Sequence, residues 1–260
     1  MEGADATPTP MVSTPKLMAA DDSPAFANSH LYRSTIGMLQ YLCITRPDLS
    51  YCVNKLSQYM NSPSDAHWRA VKRVLRYLVE TMEYGLWFTP GQFKLVCYSD
   101  ADWASSVEDR QSTTGYVIYL GSNLIAWCSK KQAVVSKSSS EAEHRSLANC
   151  VSELLWVKQL LEEVGISIKQ IPAVWCDNTS TVSMSANPTH HARVKHLRLT
   201  TILLEKKYLM APCRLTLYRQ LIKLLMCSLN PSLPSSLQCS AMLLGSRQHI
   251  QLLVFKRSKD

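Results

Sequence analysis

Three short runs of this sequence carry acidic side chains in places where a divalent cation could be held: Tyr98-Ser99-Asp100-Ala101-Asp102-Trp103, Ser140-Glu141-Ala142-Glu143-His144 and Trp175-Cys176-Asp177-Asn178. Hydrolysis of a phosphodiester by two-metal catalysis needs carboxylates that converge from different elements, because two ions about 4 Å apart must be held against the substrate phosphate. Asp100 and Asp177 each end an apolar run, and neighbouring parallel strands bring such ends together at the usual place for an α/β ligand site. Each acid also has an ordinary reading, the first as a turn and the last as a helix N-cap. The combination of strand end, helix start and second strand end is what points to a metal centre.

Helical geometry chooses between the two glutamates. Steps of four, seven, eight and eleven residues from Glu143 reach Leu147, Cys150, Val151 and Leu154, an apolar stripe that must face the sheet. Glu141 lies about 200° around the helix from Glu143 and suits the first turn, where it complements the helix dipole. Glu143 is therefore the candidate ligand.

The elements that position these acids are legible from period and punctuation. Alternation predicts strands over 94–100, 114–120 and 123–128, the last two joined by a tight turn at Gly121-Ser122. A long amphipathic helix is expected over 138–164, ended by Gly165, then a strand over 171–176 and a shorter helix toward Ala186. Upstream, apolar positions from Tyr32 to Met60 suggest two short helices parted at Arg46-Pro47-Asp48. A third helix over 64–81 buries Trp68, Val71, Val74, Leu75 and Leu78 and turns Arg69, Lys72, Arg73 and Arg76 outward, as a solvated face or a phosphate-tracking one. Residues 1–30, with four prolines among Thr, Ser, Ala and Asp, read as a disordered linker.

Composition narrows the classes. The net charge of +8 suggests nucleic acid until it is located: nine of the 28 basic but two of the 20 acidic residues lie from Thr200 onward, leaving 19 against 18 before it. Global basicity is thus no sign of a basic face. Nine cysteines without a C-x-x-C pair, and no signal-peptide pattern, fit a reducing intracellular compartment, cytoplasmic or nuclear. Lys223, Pro231, Pro234 and Arg247 interrupt the Leu-rich tail, so no membrane span is expected. His190, His191 and His196 have no cysteine spaced to complete a zinc site.

The runs YSDADWASSVEDRQSTTGYVIYLGSNLIAWCSKKQAVVSKSSSEAEHRSLANCVSELLWVKQLL and CDNTSTVSMSANPTHHARVKH resemble the ribonuclease H domains of copia-type (Ty1/copia) retrotransposon Pol polyproteins. The stretch from Tyr32 to Phe88 is similar to the segment joining reverse transcriptase to ribonuclease H in the same polyproteins, and no Y-x-D-D polymerase motif is present. The resemblance implies an α/β, ribonuclease H-like fold, a five-stranded mixed sheet flanked by helices, preceded by a small helical connection region. It implies the connection remnant at 31–90 and the ribonuclease H-like domain at 93–199, which the composition flanks with a disordered linker at 1–30 and the frame argument below with a frameshifted tail without a defined fold at 200–260. Asp100, Glu143 and Asp177 map onto metal-binding catalytic acids, with Mg²⁺ (or Mn²⁺) as cofactor and no small-molecule cofactor. The implied reaction is hydrolysis of the RNA strand of an RNA–DNA hybrid. The implied partners are that hybrid and the rest of a reverse transcriptase. Lys130, Lys131, Arg193 and Lys195 become candidate phosphate contacts, and His191, in the H-x-R-x-K-H motif, a candidate near the site.

The resemblance stops after Leu199. Relatives carry a fourth carboxylate at the position of Arg198 or Thr200, and this chain has neither. One inserted base before the codons of 200–209 converts TTILLEKKYL into DYYFVREKVL. The same frame turns 210–234 into NGSLQVDFVPATDQVADVFTKPLSA, and both resemble the family. A one-base deletion is therefore expected, with an impaired nuclease as its product. The alternative is a noncatalytic nucleic-acid-binding module or an inert pseudogene fragment.

Overall fold

A computed structural model describes residues 5–12, 14–178 and 180–181, together with the backbone of 214–217. The described residues divide into two units, one within 1–87 and the other within 88–217.

In the first unit three helices form where the apolar period requires them: α1 (Ser29–Leu42), α2 (Ser50–Ser57) and α3 (Asp65–Glu80). A 3-10 turn at Pro47–Leu49, with proline in its first turn, separates α1 from α2. Ser64 caps α3, its side chain accepting from His67 N while the His67 ring accepts from Ser64 N. Tyr32, Ile36, Leu49, Leu56, Val71 and Val74 are buried in one core. Arg46 closes the unit: its guanidinium donates to both oxygens of Asp48 at 3.0 and 2.8 Å and to Thr81 O at 2.8 Å, while Tyr77 donates to Asp48 at 3.0 Å. Burial alone would lower the Arg46 pKa, but the bonds to Asp48 outweigh it and raise it.

The described residues of the leader make contacts with the helices. Met11 is buried in the helical core, Thr7 donates to Arg73 O at 3.4 Å, Arg73 donates to Thr9 at 2.8 Å, and Phe26 stacks on Trp68 at 4.8 Å. Its composition has no period of its own, but its few apolar side chains find the helices, and burial there offsets the cost of ordering a short segment.

The second unit is a mixed sheet with a helix across it. Strands β1 (Leu95–Asp102), β2 (Thr113–Leu120) and β3 (Asn123–Lys131) form an antiparallel meander. Helix α4 (Ser139–Glu163) follows, then β4 (Ala173–Cys176) parallel to β1. Strand order is β3-β2-β1-β4-β5. The described residues of 93–199 supply four strands, one fewer than the resemblance implies. The fifth, β5 (Arg214–Leu217), runs parallel to β4 and comes from the tail expected to have no defined fold. The helix anticipated toward Ala186 lies outside the described residues, save for positions 180–181.

Helix α4 lies on the sheet through Leu147, Cys150, Val151 and Leu154, all at most 1% exposed, against Leu95, Cys97, Ile118 and Val174. No helix among the described residues is long and apolar enough to cross a membrane.

Candidate active site

Three elements deliver the acids. Asp100 lies near the end of β1, held in register by pairing with Gly115 of β2. Ser146, three residues beyond Glu143 and so on the same helix face, places its Oγ 2.6 Å from Asp100 O and 3.2 Å from Gly115 O. That contact pins the first turns of α4 to the sheet. Gln132, just beyond β3, donates to Thr114 Oγ1 and to Ala142 O, each at 3.0 Å, and accepts from Ser136 Oγ at 3.1 Å. The start of α4 is therefore fixed from both sides. Asp177 follows β4 directly, and β4 is aligned with β1 by the pairing of Ser99 with Cys176.

The two glutamates are both buried and differ in their partners. Glu141 accepts from Lys137 N at 2.9 Å and pairs with Arg145 at 2.8 Å, a bond that completes the helix start. Glu143, 7% exposed, turns inward to Asp100.

Burial raises the Asp100 pKa, and the nearby charges of Asp177 and Asp102 add to it, against the hydrogen bond from Glu143 that favours its charged form. Glu143 is pushed up to about 10, first by burial, then by the Asp100 charge and the hydrogen bond between the two, with Asp177 adding to the effect. Burial and the crowding of these carboxyls therefore favour keeping a proton within the pair. The other oxygen of Glu143, Oε2, is buried without a hydrogen-bond partner. An orphaned carboxyl oxygen beside two further acids is the donor set that a divalent cation satisfies, so these residues fit such an ion.

One further residue belongs to the cluster. The Cys176 Sγ and carboxylate oxygens of Glu143 and Asp177 all lie within 4.8 Å of one another. Cys176 is fully buried, and its thiol is pushed up to about 12, chiefly by burial, with the three acids adding to the rise. The sequence reading overlooked both Cys176 and Ser146. The available signals were the adjacency of Cys176 to Asp177 and the i+3 spacing of Ser146 from Glu143.

Of the candidate phosphate contacts, Lys130 is exposed, whereas Lys131 is tied to Asp109 at 2.6 Å. Slight burial would raise Asp109, but its hydrogen bonds, that from Lys131 foremost, hold it down at about 2. Both lysines border a groove of about 660 Å³ between β3 and α4, which Arg145 and Asn149 also line. Arg193, Lys195 and His191 lie outside the described residues, as do His190 and His196.

An antiparallel three-strand meander, a helix crossing over to a parallel fourth strand, and acids gathered from β1, α4 and the end of β4 define a ribonuclease H-like α/β module. No family model matches the chain. Among curated proteins it is 50% identical over 192 residues to the retrovirus-related Pol polyprotein from transposon RE2 of Arabidopsis thaliana, covering 74% of this chain and 13% of that protein. It is 46% identical over 192 residues to the corresponding polyprotein from transposon RE1 of the same plant, with the same coverage. The chain belongs to the retrovirus-related Pol polyproteins of copia-type transposons, and it spans about 13% of the length of these relatives. Among solved structures, a ribonuclease H1 isolated from compost is 14% identical, with a TM-score of 0.40, covering 56% of this chain and 99% of that one.

Proposed function

We propose that the α/β unit is an RNA–DNA hybrid ribonuclease site in which Asp100, Glu143 and Asp177 hold divalent ions, Mg²⁺ or Mn²⁺. The observation that carries this reading is the convergence of three acids from β1, α4 and the end of β4, with Glu143 buried and one of its oxygens left unpartnered. Without a cation, such a cluster costs stability for no structural return.

Bound there, a pair of such ions would activate a water and stabilise the leaving oxygen of the scissile phosphodiester. Among the chain's own groups, Asp100 and Asp177 supply charge from rigid strand ends, and Glu143 completes the set once its proton is displaced. Ser146 acts as a positioning residue by fixing the distance between β1 and α4. Lys130, exposed beside the groove between β3 and α4, suits contact with a substrate phosphate. Recognition of the hybrid would rest on phosphates, groove shape and ribose 2′-hydroxyls rather than on base edges.

The fourth carboxylate is lacking at Arg198 and Thr200, so turnover is expected to be low, and the single missing base inferred above accounts for the loss. A second reading, binding of nucleic acid without cleavage, follows from the same absence. Cleavage of a labelled RNA–DNA hybrid in Mg²⁺ tests both. The nuclease reading predicts slow cleavage that Asp100→Asn reduces by at least about tenfold. Hybrid binding with no cleavage by either protein would favour the second reading.

A further inference from the structure

We propose that Cys176 makes this centre a site for thiophilic divalent cations of the zinc and cadmium class, its Sγ joining carboxylate oxygens of Glu143 and Asp177 on a single ion. The inference rests on the reading of these acids as metal ligands and extends it to the class of ion accepted.

The placement of Cys176 sets it apart from the other buried cysteines. Cys97 and Cys150 sit in the apolar core among Leu147, Leu154 and Val174, where a thiol serves as a small apolar group. Cys176 is equally buried yet lies outside that cluster, because it is the last residue of β4, where the strand runs out beneath the first turns of α4. There its sulfur faces carboxyl oxygens, with all three donor atoms within 4.8 Å. Ligands of one tetrahedral zinc ion lie about 3.3–3.7 Å apart, so modest side-chain rotation closes the set. The buried Glu143 Oε2 lacks a partner and is the second mark of a ligand position.

Magnesium takes oxygen donors in octahedral geometry and gains nothing from a thiol. Zinc and cadmium bind thiolate sulfur strongly, and mixed sulfur and oxygen sets suit them. On binding, the thiol S–H bond breaks, its proton passes to solvent and a sulfur–metal bond forms; Glu143 likewise gives up its proton. A thiophilic ion held this way occupies the carboxylates that magnesium would use and so competes with it.

The test uses the full chain. Manganese binding is followed by electron paramagnetic resonance, and cadmium binding by cadmium NMR and by the ultraviolet sulfur-to-cadmium charge-transfer band. The expected result is a single cadmium ion with one sulfur ligand in the NMR shift, displacing manganese. Cys176→Ser should remove the charge-transfer band and weaken cadmium binding by roughly tenfold or more, because even outer-shell losses reach that size. In the same variant the loss of affinity for cadmium should exceed that for manganese by roughly tenfold, since hard ions do not depend on the thiol. Circular dichroism verifies the fold of the variant, and the NMR shift of the unsubstituted protein reports sulfur ligation without any variant.

Manganese bound through Glu143 together with cadmium in an all-oxygen environment would overturn the inference and leave the proposed function standing. So would a charge-transfer band that survives in Cys176→Ser. Failure of the unsubstituted chain to bind either ion would overturn both.

Discussion

At the residue scale, the decisive feature is a carboxyl group held where its charge is unwelcome. Asp100 and Glu143 both have pKa values above the ordinary range, so the folded chain keeps protons that the unfolded chain releases. Below about pH 4 both states are protonated and the acids contribute no difference. As pH rises from there toward about 10, the unfolded state is favoured progressively, and stability falls with pH. Glu143→Gln removes the penalty. In chelator at pH 8 the variant should melt a few degrees above the original chain, whereas in Mg²⁺ the order should reverse, because only the glutamate gains from the ion. Thermal denaturation across pH, with and without Mg²⁺, checks this. A variant that melts lower in chelator throughout would show that Glu143 serves the fold rather than a metal.

Glu143 was legible in the sequence because its partners on the helix, Leu147, Cys150, Val151 and Leu154, mark the buried stripe directly. Cys176 was not, because its role depends on which side of a four-residue strand meets α4, and that is settled by pairing with β1.

At the element scale, the turns carry sharp expectations. Gly121 has φ +64°, and a Cβ there would lie 2.7 Å from the backbone oxygen of Gln92. Gly165, past the end of α4, has φ +83° and open space around it. Gly165→Ala should therefore cost about 1 kcal/mol from conformation alone, and Gly121→Ala clearly more, since the strain is joined by a backbone clash. Urea denaturation measures both, and equal costs would contradict the geometry. In the helical unit, Arg46→Ala leaves the half-buried Asp48 without its cation and should cost about 2 kcal/mol or more by the same measurement. A loss under about 1 kcal/mol would show the network to be incidental.

Element ends show where hydrophobic pattern runs out. Strand β3 continues to Lys131, three residues past the expected 128, because Ser129, Lys130 and Lys131 pair with Gly115, Thr114 and Thr113. Polar residues at a strand end carry no apolar alternation, so backbone pairing alone extends it. The contacts of the leader, by contrast, are with helices distant in sequence.

At the scale of the whole molecule, the two units carry separate cores, and the nuclease reading concerns the second alone. The tail is where sequence and structure meet most tellingly. Strand β5 covers Arg214–Leu217, and the restored frame puts the alternating run LQVDFV over 213–218. The strand falls where the one-base shift proposed above would read that alternating run. A chain carrying the restored sequence from 200 to 234 should bind Mg²⁺ roughly 10- to 100-fold more tightly and cleave hybrid faster, as recovery of a ligand carboxylate requires. Equal affinity in the two chains would remove the frameshift from the explanation. Reading the genomic DNA across the codons for Leu199 and Thr200 tests the missing base itself.

The central claim is that carboxylates from β1, α4 and the end of β4 together bind divalent metal. Calorimetric titration of Mn²⁺ into the full chain, beside Asp100→Asn and Glu143→Gln, addresses it most directly. The account predicts saturable binding in the original chain, weakened by at least about tenfold in each variant. Binding of the same strength in all three proteins, or none in the original chain, would contradict it.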